Sequence, residues 1–286
     1  MIPSVKSLVH AVLRRSGYRL ERLDQRQTPV QQEAPDLSAK LHHYQTMRDI
    51  HRQDAVEIEA LYRQFVFPDL PQRKGREILL NDLIGTTVSE AIYILQSLHQ
   101  SLRVPGDICE FGVAQGSTSR LLAAEIMPFA DRKLWLFDSF EGLPAPTAED
   151  RLIDDIFKLG TMERYQGAMA SPESLVLEKL GDIGFPRERT KVKKGWIKET
   201  SKSGELPKQV AFAYLDFDLY EPIKDGLSFI DPLMPVGGVI VVDDYGFFSE
   251  GAQLAVDQFV LQMEGRYEFS LPLSLAGHFC LLRKIA

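Results

Sequence analysis

The chain has 286 residues, 44% of them hydrophobic and 26% charged, with a formal net charge of −7. That suffices for a full α/β domain with an extension, and the acidic balance argues against nucleic acid as the main partner. No apolar run approaches the ~18 residues of a membrane span, and the N-terminus lacks a signal-peptide core, so a cytoplasmic protein is expected.

In chain order, organisation changes near residue 84. Residues 1–84 carry 13 Lys/Arg and 11 Asp/Glu, whereas the remainder carries 20 and 29. We expect a helical N-terminal extension over 1–84 and a catalytic domain over 85–286. Six basic and two acidic side chains in the first 26 residues surround Val5, Leu8, Val9, Val12 and Leu13. This short basic amphipathic helix either touches a membrane surface or acidic partner weakly, or packs on its own copy in a homo-oligomer; the second is the favoured reading. Residues 27–35 are polar and Pro-containing, hence a linker, and Leu37 to Phe65 is predicted helical. Thr86 to Leu102 gives another helix, with Thr87 as its N-cap.

Asp107 to Phe111 is predicted as a first strand, Gly112 and Gly116 as a tight turn, and Ser117 to Ile126 as a helix whose Ser/Thr start supplies a cap. The run Glu110-Phe-Gly-x-x-x-Gly lacks the full dinucleotide fingerprint, so it is either a nucleotide-type turn or simply a tight βα turn. Cys109 and Cys280 lie in apolar runs and are expected as buried free thiols. Lys133 to Phe137 forms a second strand ending in Asp138, followed by Ser139; an acid there accepts from ribose hydroxyls or caps the turn. The stretch from Glu141 to Ser171 exceeds an ordinary connection and suggests a lid or binding loop. Trp196, after a third strand, stacks near an adenine or belongs to the core.

The strongest signal comes next. Val210 to Leu215 and Gly237 to Val242 are strands buried on both faces, ending in Asp216-Phe-Asp-Leu-Tyr220 and Asp243-Asp-Tyr245. The intervening segment, opening at Glu221-Pro222, is long enough for a crossover helix. If the strands are neighbours, Asp216, Asp243 and Asp244 converge. Two carboxylates about 4 Å apart repel by around 4 kcal/mol at an effective dielectric of 20, so the cluster holds a proton or a hard divalent ion, with Mg²⁺ the best match. The bland alternative is that these acids cap helices. Asp218 is open between general base, further ligand and helix cap. His278, on the last apolar strand, is expected to be structural.

In order, Glu110-Phe-Gly-Val-x-x-Gly, Asp138-Ser-Phe-Glu-Gly-Leu-Pro, Lys194-Gly-Trp196, Asp216-x-Asp-Leu-Tyr and Asp243-Asp-Tyr resemble the macrocin O-methyltransferase family, over about residues 82–284. The resemblance implies a class I methyltransferase fold: a Rossmann-like, seven-stranded, mostly parallel sheet with helices on both faces. It implies S-adenosylmethionine and a divalent cation as cofactors, and methylation of sugar hydroxyls of natural products. Residue by residue, it implies Glu110 and Gly112 at the methionine end, Asp138 and Ser139 at the ribose, and Thr87 near the cofactor carboxylate. Ser117, Trp196 and Asp216 complete the expected cofactor set. It further implies Asp216, Asp243 and Asp244 as metal ligands and Asp218 as general base. Phe217 departs from the family, which has Gly there, and puts the shape of the acceptor pocket at issue. The expected function is a cation-dependent O-methyltransferase acting on a sugar or glycosylated metabolite. Two other readings stand beside it: methylation of a catechol-like diol, and a non-catalytic methyltransferase-like scaffold.

Overall fold

A computed structural model describes the backbone of residues 37–286 and the side chains of residues 51–286, of which Arg48–Ala286 form one compact unit. The basic helix and linker expected before residue 36 lie outside the described residues.

Three helices precede the sheet: α1 (Leu37–Phe65), α2 (Arg76–Asn81) and α3 (Val88–Ser101). The strands are β1 (Asp107–Phe111), β2 (Leu134–Asp138), β3 (Thr190–Lys194), β4 (Val210–Leu215), β5 (Val239–Val242), β6 (Tyr267–Ser270) and β7 (Cys280–Lys284). They form one seven-stranded sheet in the order β3-β2-β1-β4-β5-β7-β6. The first five run parallel, and β7 pairs antiparallel with both neighbours. The sheet order reverses between β1 and β4, the switch point at which open α/β sheets bind ligands.

Every residue of β4 and of β5 is buried, as expected for central parallel strands read from continuous apolar runs. Alternate residues feed two cores. On one face Cys109, Phe111 and Ile240 pack with α6 (Ile197–Thr200), α7 (Tyr220–Ile230) and α8 (Glu250–Gln262). On the other, Ile108, Tyr214 and Val241 pack against α3, α4 (Ser117–Ile126) and α5 (Glu173–Asp182). A third core joins Ala55, Leu70 and Leu80 to Ile92, Leu95 and Leu121, so residues 55–80 pack as part of the unit that begins at Arg48.

A buried ion network reinforces that third core. The Arg76 guanidinium donates to both Glu125 oxygens at 2.8 and 2.9 Å and to Glu59 at 2.7 Å. His99 Nε2 lies 2.7 Å from Glu125 Oε2.

Residues 141–171, expected as a lid or binding loop, have a core of their own. Leu143, Met162 and Tyr165 pack on Leu219 and Phe248, the residues just before α7 and α8. Cys109 and Cys280 are free and buried, as expected. His278 falls just before β7 rather than within it, stacked on Phe247 at 4.8 Å. Among the described residues, no helix is long and apolar enough to cross a membrane.

Candidate functional site

The carboxyl ends of β1, β4 and β5 are held level by ladder bonds that continue past the strands: Asp216 N–H donates to Phe111 O and Asp243 N–H to Leu215 O, each at 2.8 Å. Gly112, at φ 79°, turns away between β1 and β4; a Cβ there would collide with the Asp216 carbonyl, so glycine is required. The two acidic turns thus sit side by side.

Beyond the strands both turns enter the left-handed region at a non-glycine residue, Asp218 (φ 60°) and Asp244 (φ 55°). Such conformations cost of order 1 kcal/mol or more and cluster at functional sites. Because the chain folds over at Asp218, the turn and not the pleat of an extended strand brings its carboxylate to Asp216. Oxygens of Asp216, Asp218 and Asp244 lie within 4.8 Å of one another. Asp243, expected as the third ligand, stands outside that trio and accepts one bond on each oxygen: from Tyr214 Oη at 2.8 Å and from Asp244 N–H at 2.8 Å. Tyr214 Oη also lies 3.3 Å from the buried Glu90.

Desolvation is the main force on the three converging acids, although these side chains are only half-buried, and among the described residues no salt bridge ties them to a cationic side chain, while His278 acts on the neighbouring Asp243. Burial first, then repulsion from neighbouring carboxylates, holds Asp216, Asp218 and Asp244 well above the usual carboxylate range. Glu90 is raised likewise, by burial and then by Asp243. The donors are all hard oxygens, so they fit a divalent cation such as Mg²⁺.

Next to the acids opens a cavity of about 520 Å³. Gly112, Asp138, Ser139, Trp196, Asp216 and Asp218 are among its lining residues. Asp138 accepts from the N–H groups of Val113, Ala114 and Phe140 at 2.6–3.0 Å, which is the capping role, and still leaves an acceptor position open. Glu110, at the end of β1 and not among the lining residues, is 1% exposed, and burial pushes its carboxyl up to about 8. Its Oε2 has no hydrogen-bond partner, an orphaned buried acceptor of the kind a bound donor satisfies. A cofactor with an ammonium group and ribose hydroxyls fits these residues.

Other expected site residues are placed differently. Thr87 caps α3, accepting from Glu90 N–H at 3.1 Å, and donates to Ala276 O at 2.9 Å; it does not line the cavity. Ser117 opens α4 and lies 3.2 Å from Lys179 Nζ. Phe217 turns into the core, edge-on to Phe111 at 5.9 Å, while still forming part of the cavity wall.

Sequence reasoning missed Glu90, Tyr214 and Asp150. Thr87-x-x-Glu90 has the spacing of a capping box, in which the glutamate would reach back to the cap. Instead the Glu90 side chain is buried against Tyr214. Nothing in the sequence marks Asp150.

Residues 89–265 match the protein family described as Macrocin-O-methyltransferase (TylF). A Streptomyces olivaceus protein, the 8-demethyl-8-(2,3-dimethoxy-alpha-L-rhamnosyl)-tetracenomycin-C 4'-O-methyltransferase, is 32% identical over 173 residues, 60% of this chain and 62% of its own length. The match therefore spans less than two thirds of that relative. The demethyldecarbamoylnovobiocin O-methyltransferase of Streptomyces niveus is 28% identical over 68% of this chain and 72% of its own. Among solved structures, the O-methyltransferase NovP shares the fold with a TM-score of 0.61 at 22% identity, covering 82% of this chain and 100% of NovP.

Proposed function

The chain belongs to the macrocin O-methyltransferase family, and from that premise we propose that it transfers a methyl group from S-adenosylmethionine to a hydroxyl of a sugar or glycosylated natural product, assisted by a divalent cation. One observation carries the reading: three half-buried acids with no salt-bridging side chain among the described residues, at the switch point of the sheet, beside a cavity with room for a small molecule. The sugar-bearing acceptor is the part suggested by the relatives' own substrates. Unpaired, buried cysteines support a reducing, cytoplasmic setting.

When bound, the cofactor supplies an electrophilic methyl and the cation a positive charge beside the acceptor oxygen. The chain's own residues do the rest. Glu110 Oε2 receives a donor from the methionine end, and Asp138 holds a ribose hydroxyl through its free acceptor position. Asp216 and Asp244 hold the cation. Asp218, which lines the cavity, accepts the proton of the acceptor hydroxyl, a poor nucleophile at neutral pH. Asp243, fixed by Tyr214, supports the turn from behind.

The test is methyl transfer from labelled cofactor to a panel of glycosylated polyketides and free sugars, with chelator and with Mg²⁺. Transfer should vanish in chelator and return with Mg²⁺. Asp218→Asn should lower turnover about 100-fold or more while S-adenosylhomocysteine binds nearly as before. Full transfer in excess chelator removes the cation from the mechanism, and near-normal turnover of Asp218→Asn removes the base.

A further inference from the structure

The helices that follow the two acidic turns share one anchor, and it lies far away in sequence. Asp150 is 5% exposed. Its Oδ1 accepts from Tyr220 N–H at 2.8 Å and from Ser249 Oγ at 3.1 Å. Its Oδ2 accepts from Thr147 N–H at 2.8 Å and from Thr147 Oγ1 at 2.9 Å. Every oxygen is therefore committed within the protein, two bonds to each.

The identity of those partners gives the arrangement its meaning. Tyr220 is the first residue of α7, two residues beyond Asp218, and α7 has no side-chain cap of its own. Asp150 supplies that cap from outside the helix. Ser249 is the N-cap of α8 and accepts from Gly251 N–H at 2.9 Å; the turn holding Asp243 and Asp244 runs directly into it. Main-chain bonds fix the same seam, Ile153 N–H to Phe248 O at 3.0 Å and Glu250 N–H to Arg151 O at 2.9 Å. Gly251 is glycine because a Cβ there would meet Asp150 Oδ1. One carboxylate thus pins the start of α7 to the start of α8.

We propose that Asp150 is a positioning residue for methyl transfer: it sets the separation of the Asp216–Asp218 and Asp243–Asp244 turns, and so the spacing of the carboxylates that hold the cation. The left-handed φ values of Asp218 and Asp244 fit such support, since that region carries a conformational cost even for aspartate. The Thr147 bonds add a second link. They connect the spacing of the acids to the wall of the cavity, which Thr147 and Asp150 both line. The inference rests on reading the crevice as a cation-assisted methyl-transfer site.

The experiment uses the full chain and Mn²⁺ as the probe, titrated by electron paramagnetic resonance, with S-adenosylhomocysteine affinity and the thermal midpoint measured on the same samples. Asp150→Ala should weaken Mn²⁺ at least about tenfold, the usual cost of losing a group that orients metal ligands, with S-adenosylhomocysteine held within about threefold. Asp150→Asn keeps an oxygen for Tyr220 and Ser249 and should restore Mn²⁺ affinity to within about threefold of the parent. A merely structural residue would lower the midpoint and weaken both ligands together. If Asp150→Ala does not fold, Ser249→Ala removes one arm alone, and Mn²⁺ affinity should still fall about threefold. Unchanged Mn²⁺ affinity in a folded Asp150→Ala, or in Ser249→Ala, overturns this inference alone; a parent chain that binds no Mn²⁺ overturns the reading of the site along with it.

Discussion

Two groups of carboxylates lie in this domain, and they are treated in opposite ways. Glu125 is as buried as any acid in the described residues, at 1% exposed. Burial would raise its carboxyl, but His99 and Arg76 reverse the effect and hold it down at about 2. Asp216, Asp218 and Asp244 face burial and one another and are pushed up instead. At Glu125 the fold builds the counter-charge from side chains. Around Asp216, Asp218 and Asp244 no salt-bridging side chain stands among the described residues, and in the proposed reading the cost of clustering is left to a cation. The lesson is that a buried acid marks a ligand site by the partners missing around it, not by its burial.

The comparison breaks most visibly under mutation. Arg76→Met leaves Glu125 buried with His99 and, at 3.7 Å, Arg73 beside it and should cost about 3 kcal/mol, read from denaturant unfolding. Asp216→Asn in the cation-free protein at pH 8 should do the reverse, raising stability by about 1 kcal/mol, less than one pK unit's worth, while ending Mg²⁺-dependent transfer. A loss of stability in that variant would mean the crevice acids are held together without help.

A second test is acid titration. Glu125 has a folded value of about 2, below its ordinary 4.5, so its stabilisation is complete above about pH 4.5 and lost as pH falls toward 2. Unfolding followed across that window should show about 3 kcal/mol of stability disappearing, and Glu125→Gln should flatten the slope. An equally steep slope in the variant would place the acid sensitivity elsewhere.

The smallest effect sharpens the rule by removing burial. Glu205 meets Lys191 at 3.2 Å and Lys133 at 3.5 Å on an open surface. Glu205→Gln should leave the thermal midpoint within experimental error, because exposed pairs are screened by water and salt.

Much of this was legible in the sequence. The bounds of β1, β4 and α4 follow from apolar runs and cap residues, and the pairing of the Asp216 and Asp243 strands follows from their crossover. The composition of the crevice was legible less far. Asp218 joins Asp216 and Asp244 because both turns adopt left-handed backbone that no propensity assigns to aspartate in advance, and the Tyr214 contact of Asp243 crosses between neighbouring strands. Residues 141–171 hid their core because Leu143, Leu152, Ile156 and Met162 follow neither a strand nor a helix period, and their partners Leu219 and Phe248 lie far along the chain. Asp150 was illegible for the same reason: the two partners that tie it to α7 and α8 stand 70 and 99 positions away.

The left-handed backbone at Asp218 and Asp244 also limits which residues variation can place there. Aspartate and asparagine enter that region several-fold more readily than other side-chain-bearing residues, glycine enters it freely, and β-branched residues scarcely do. Glutamate keeps the charge but not this conformational ease. The preference for the shorter acid is thus set by the main chain before chemistry is consulted, and the exchanges open to these two positions at little conformational cost, to asparagine or glycine, are ones that discard the carboxylate.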